Sequence, residues 1–183
     1  MAGQRLARQP VRPEVVSLRI RTEQKADHSA IHALNVAAFG RRDEADLVER
    51  LRRAARPFVS LVAHEGDRLV GHIAFSPVSI AGHNALLMGL APMAVLPARQ
   101  RVGIGSALVR AGLQRCREIG TTAVVVLGHP NFYPRFGFAP ASRFGIASEY
   151  RAPPEAFMAL ELEPGALQGV FGTVKFHAAF SGM

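Results

Sequence analysis

A single cysteine among 183 residues leaves no partner for an internal disulfide. Cys116 standing alone suits a reducing, cytoplasmic setting. No apolar run approaches the roughly 18 residues that span a bilayer, which argues against a membrane protein. The first dozen residues lack the apolar stretch of a secretory signal, and Pro10, Pro13 and scarce serine argue against an Arg-rich transit peptide. Residues 1–17 are expected to form a disordered basic leader ahead of one domain at 18–183, whose core lies at about 18–163. Internal repeats and low-complexity blocks are absent too. Lysine is nearly missing: Lys25 and Lys175 are the only two, so the formal charge of +8 is carried almost wholly by arginine. Arg5, Arg8 and Arg12 sit in the leader, whereas Arg50, Arg52 and Arg53 are interleaved with Asp43, Glu44, Asp46 and Glu49. That interleaving reads as a solvated helix face plus a basic tail rather than a nucleic-acid surface.

What is present is an ordinary soluble composition, 49% apolar and 20% charged, in a chain long enough for one compact core. Residues 17–23 alternate apolar and polar and predict a half-buried strand. Asp27 is expected to cap a helix carrying Ile31, Leu34, Ala38 and Phe39 on one side and stopping at Gly40. A second helix is expected from Asp43, burying Leu47, Val48 and Leu51. Three strands follow, at 58–64, 69–80 and 85–95, with turns at Gly66-Asp67 and Gly82-His83-Asn84. Pro92 lies inside the third of them and cannot donate to a ladder, so a bulge or splay is expected there. A helix over 103–119, a buried strand over 123–127, a short helix near 131–136 and strands around 138 and 157–162 complete a mixed α/β sheet with helices on its faces.

The chemistry concentrates in residues 95–106, VLPARQRVGIGS, between a strand and a helix. Gly103 and Gly105 let a ligand approach the backbone. The helix N-terminus supplies unpaired N–H groups with a partial positive charge, and Arg99 and Arg101 add charge, as a diphosphate requires. Neither a dinucleotide fingerprint nor a nucleoside-triphosphate loop fits. Leu108 stands where the former needs its third glycine, and no Gly-Lys-Ser/Thr closes the segment.

Gln100-Arg101-Val102-Gly103-Ile104-Gly105 resembles the pyrophosphate loop of the GNAT superfamily of N-acetyltransferases. Residues 90–95, LAPMAV, resemble that family's bulged strand. Asn131-Phe132-Tyr133-Pro134-Arg135-Phe136-Gly137-Phe138 resembles its second cofactor motif, in a form shared by a bacterial subgroup, with His129 where an acidic residue is common. The resemblance spans roughly 18–163. It implies a mixed, mostly antiparallel central sheet, splayed at the bulged strand, with helices on both faces. It also implies acetyl-CoA as acyl donor, no metal, and transfer to a primary amine of a small molecule or protein by direct attack in a ternary complex. A homodimer through edge strands is compatible with such a fold. A CoA-binding module without turnover and a basic nucleic-acid-binding protein are the alternatives.

By that resemblance, backbone amides of Arg101, Val102, Gly103, Ile104, Gly105 and Ser106, with Gln100, hold the pyrophosphate. Met93 and Val95 pair with the pantetheine arm as a strand would, with Ala94 between them in the same cofactor-binding stretch, and Asn131 and Phe132 line the cofactor. Tyr133 is the candidate general acid for the leaving thiolate. A backbone N–H near Met93 or Ala94 is the candidate oxyanion donor. Glu44 is the candidate proton relay on the acceptor side, although a carboxylate there is expected to be exposed at a helix N-terminus. Asp46, Glu149 and His129 are weaker candidates. His28 and His32 share a helix face without further ligands, and Cys116 reads as a packing residue rather than a nucleophile.

Overall fold

The computed structural model describes residues 17–181, so the expected leader lies outside the described residues except for Ser17. The chain forms β1 (Leu18–Thr22), α1 (His28–Phe39), α2 (Asp43–Ala54), β2 (Val59–Glu65), β3 (Arg68–Ile80) and β4 (His83–Val95). It continues with α3 (Ile104–Glu118), β5 (Ala123–Leu127), β6 (Ala139–Pro140), β7 (Ile146–Ser148), β8 (Phe157–Glu161) and β9 (Gly172–Val174). Seven strands make one sheet in the order β1-β2-β3-β4-β5-β8-β6, and β7 pairs with β9 in a second, small sheet. Among the described residues of the large sheet, only β4 and β5 run parallel. The mixed, mostly antiparallel architecture matches the sequence reading.

Strand periodicity sorts side chains onto two faces. On one face Leu61, Phe75, Met88, Val124 and Val126 pack against Leu108, Val109 and Leu113 of α3. Helix and sheet approach closely at Gly112, where a Cβ would sit 2.3 Å from the Phe75 ring. On the other face Val62 meets Ile31 of α1 and Val48 of α2. Further along that face Val78, Leu87, Val125 and Phe157 are covered by Leu167, Val170 and Val174. The segment after residue 163 is thus part of the packed body, which extends the core beyond the expected limit. Phe180 seals the seam by packing on Leu47 and Leu51.

Asp27 departs from expectation. Its carboxylate makes no cap bond to α1. It accepts the Gln24 backbone N–H at 2.7 Å and two bonds from Arg21 at 2.6 and 2.9 Å. A charged guanidinium is the stronger partner, and it holds the Asp27 pKa down at about 2. The carboxylate therefore ties β1 to the turn before α1 instead of capping the helix.

The expected irregularity at Pro92 is present. Ile73 pairs with Met93 and Phe75 with Leu90, so Ala91 and Pro92 together oppose Ala74. The parallel ladder to β5 covers only Leu87–Leu90, ending at Val126. Beyond it β4 and β5 diverge, and the sheet opens in its middle.

Candidate functional site

The opening between β4 and β5 is where the sequence-predicted residues gather. A cleft of about 750 Å³ is lined by Met93 and Val95 from β4, and by Gln100, Arg101, Gly103, Gly105 and Ser106 from the loop and first turn of α3. Its far wall holds His129, Asn131, Phe132, Tyr133 and Arg135. Local geometry explains the loop. Arg101 (φ 64°) and Gly103 (φ 94°) both take left-handed conformations, which fold the chain tightly back into α3. Gly103 caps the helix without a side chain, and the first turn carries no acidic residue. The opening N–H groups of α3 are left for an anion.

Three expected contributors do not line the cleft with their side chains. Ala94 and Ile104 are buried in the body, and Val102 is exposed. Arg99, expected to add charge beside the loop, instead pairs with Glu65. Gln100 donates to the Val95 carbonyl at 3.1 Å, tying the loop to the end of β4. Arg135 was not among the expected residues. Its guanidinium stacks 4.8 Å above the Phe132 ring and adds a cation to the far wall. Its place in the 131–138 motif was the available signal.

A second cleft, of about 500 Å³, opens on the other side of the same gap. Met93, His129 and Tyr133 line both clefts, so the two spaces meet at these side chains. Tyr133 sits in a short 3₁₀ turn, Tyr133–Phe136, that ends at left-handed Gly137. Its ring is held edge-on by Phe132 and Phe138 at 5.0 and 5.6 Å, and the bare Gly128 lies against it. Burial pushes the phenol up to about 12, so it stays protonated at any working pH.

Glu44 also lines the second cleft, but not as the exposed carboxylate expected of a helix N-terminus. It is 6% exposed. Arg41 grips it through Nε, at 3.1 Å to each oxygen, and through Nη2. The turn between α1 and α2 folds the side chain inward, and the guanidinium compensates the buried charge. Of the weaker candidates, His129 lines both clefts, whereas the two carboxylates are engaged elsewhere. Asp46 faces His32 at 3.4 Å, and Glu149 accepts the Phe176 backbone N–H at 2.5 Å and pairs with Lys175.

Cys116 is buried in α3 against the sheet, with its thiol pushed up to about 12 chiefly by desolvation. Neither cleft reaches it. No cluster of three potential metal ligands occurs among the described residues. No helix among them is long and apolar enough to cross a membrane.

The second cleft was largely invisible in the sequence. Its aromatic lining, Phe39, Tyr150, Phe176 and Phe180, comes from segments more than a hundred residues apart. No motif links them.

The family model for the acetyltransferase (GNAT) domain matches residues 19–141. The uncharacterized N-acetyltransferase YjhQ of Escherichia coli (strain K12) is 41% identical over 136 residues, covering 72% of this chain and 75% of that protein. The crystal structure of the Escherichia coli GNAT family N-acetyltransferase YhbS in complex with CoA superimposes with a TM-score of 0.86 at 34% identity, covering 93% and 95% of the two chains. A Brucella melitensis GNAT acetyltransferase in complex with acetyl-CoA gives 0.75 at 38% identity, covering 90% and 99%.

Proposed function

The chain belongs to the GNAT family of acetyltransferases, and on that premise we propose that it transfers an acetyl group from acetyl-CoA to a primary amine in a ternary complex. The observation that carries this reading is the meeting of two clefts at Met93, His129 and Tyr133. One cleft has the chemistry of a diphosphate site and the other has room for an acceptor. The relatives solved with CoA and with acetyl-CoA support the choice of donor. The cytoplasm, where acetyl-CoA is made, is the compartment this reading implies.

The residues present fit such a donor. Open N–H groups from Gly103 to Ser106 and the cations Arg101 and Arg135 suit a pyrophosphate and a further phosphate. A Cβ at Gly105 would lie 3.7 Å from both Met93 and Phe132, so the bare glycine keeps the cleft open where the arm must pass. The edge of β4 beyond Leu90, which no β5 residue pairs, offers main-chain groups of Met93 and Val95, which face away from β3, for strand-like pairing with amides of the arm.

In the reaction the amine nitrogen forms a bond to the acetyl carbon, the carbon–sulfur bond breaks, and one proton moves from nitrogen to sulfur. A backbone N–H near Met93 or Ala94 bonds the oxygen as it gains charge. Tyr133 donates its phenolic proton, or a strong hydrogen bond, to the departing sulfur. A phenol near 12 facing a thiol of ordinary pKa, about 8.5, would transfer its proton uphill. The same dry surroundings raise the thiol as well, which narrows the gap. Glu44, through water, is the route by which the amine's proton leaves. Cys116, buried and protonated, takes no part, and transfer is direct.

The test is a calorimetric titration with acetyl-CoA of the native protein and of Gly105→Val. Micromolar binding that the variant loses, followed by mass-spectrometric detection of an acetylated amine, is the expected result. Absence of binding by a folded native protein would overturn the reading.

A further inference from the structure

The second cleft bears on what the acceptor is, and the following rests on the amine-transfer reading above. Its walls are unusual for a site that binds strongly cationic substrates. Phe39 closes α1, and Tyr150, Phe176 and Phe180 form a connected aromatic row, with ring centroids 5.4 and 5.3 Å apart. The row is built rather than incidental. Glu149, next to Tyr150, accepts the Phe176 N–H, and Arg50 of α2 holds the Phe180 turn through the Ala179 carbonyl at 2.9 Å. All three rings of the row lie beyond the residues matched by the family model, so this wall is contributed by a segment outside the matched domain.

The charge of the cleft points the same way. Among the described residues lining it, Glu44 is the one carboxylate, and both its oxygens are already held by Arg41. A polyamine, an aminocyclitol antibiotic or a lysine-rich peptide brings several ammonium groups. Each would lose water on binding here without a free carboxylate to receive it. A single amine on an apolar body avoids that cost, because its nitrogen goes to the junction at Tyr133 while its body covers the aromatic row. We infer that the acceptor is a small monoamine with an aromatic or bulky apolar body, selected by the wall of Phe39, Tyr150, Phe176 and Phe180.

The experiment measures CoA release and product mass for 2-phenylethylamine and tryptamine against spermidine, an aminocyclitol and a lysine-rich peptide. The native protein, Phe39→Ala and Phe176→Leu are compared, and acetyl-CoA affinity is titrated separately for each. The arylalkylamines are expected to exceed the polycations at least tenfold in kcat/KM. Both variants should raise KM for the aromatic amines about five- to tenfold, with kcat and acetyl-CoA affinity within twofold of native. Phe39 is half-exposed at a helix end, so its truncation does not put folding at stake. Preference for a polycation or the peptide, or an unchanged KM in both variants, would overturn this inference and leave the acyltransferase reading standing. Acetyl-CoA binding with no amine of any class acetylated would overturn the amine-transfer reading beneath it.

Discussion

Gly128→Ala is the substitution that most sharply probes the role assigned to Tyr133. A Cβ built on Gly128 lies 2.4 Å from Tyr133 Cε2 and 3.2 Å from Cδ2. An ordinary carbon contact is about 3.5 Å, so the ring edge must retreat by about 1 Å. Phe132 and Phe138 stand edge-on to the ring, and the Gly128 N–H is bonded to the Ala156 carbonyl at 2.9 Å. With these neighbours fixed, the ring gives way toward the clefts and carries its hydroxyl off position. Overpacking of this kind costs about 1–3 kcal/mol, or a fall of about 2–12 °C in Tm for a chain of this size. Misplacing a catalytic group by about 1 Å costs up to about 100-fold in rate. In a thiol-release assay Gly128→Ala should therefore lower kcat about 10- to 100-fold. Tyr133→Phe keeps the ring and removes only the hydroxyl. It should leave Tm nearly unchanged and lower kcat by about 10²–10⁴. The double variant separates the explanations, because it keeps the clash but has no hydroxyl to misplace. Its kcat should equal that of Tyr133→Phe, a strongly non-additive cycle. Gly128→Ala subtracting its full loss again from the Tyr133→Phe background would refute the reasoning, as would Tyr133→Phe within threefold of native.

Other predictions follow from the same structure. Glu44→Gln should lower kcat at least tenfold while acetyl-CoA affinity by calorimetry stays put; unchanged kcat would remove Glu44 from the proton path. His72 is fully buried between Ser60 (2.9 Å) and Asn35 (3.3 Å), with Ser60 bonded on to Glu23, and burial pushes its pKa down to about 4. The unfolded imidazole, near 6.5, then takes up a proton that the folded one refuses. Stability is complete above about pH 6.5 and falls as pH drops toward 4, by as much as about 3 kcal/mol. Thermal melts from pH 8 to 4 should show this decline, and His72→Gln should flatten it; a flat native profile counts against a neutral buried His72. Cys116→Ala should lower Tm but leave kcat within twofold, and an acetyl group trapped on Cys116 would contradict direct transfer.

Sequence and structure divided the work by range. Strand and helix positions were legible because their signals are local: alternation in β1, the Val-rich run of β5, the glycine stops after α1 and α3. The first cleft was legible too, since its loop is one contiguous segment whose backbone amides are the groups proposed to hold the donor. Proline at 92 announced the bulge because a missing N–H cannot be supplied by any fold. Tertiary packing alone decided three things. It turned Glu44 inward, because Arg41 stands where it can compensate a buried charge. It drew Asp27 from capping α1 to Arg21 and the Gln24 amide, because a charged guanidinium is the stronger partner. And it brought Phe39, Tyr150, Phe176 and Phe180 to one wall, since apolar side chains pack without direction and carry no spacing that names their partners. The sequence by itself determined the family, the sheet and the glycine loop before α3, each written in residues that neighbour one another. The second cleft was decided only when distant segments closed over the opening between β4 and β5.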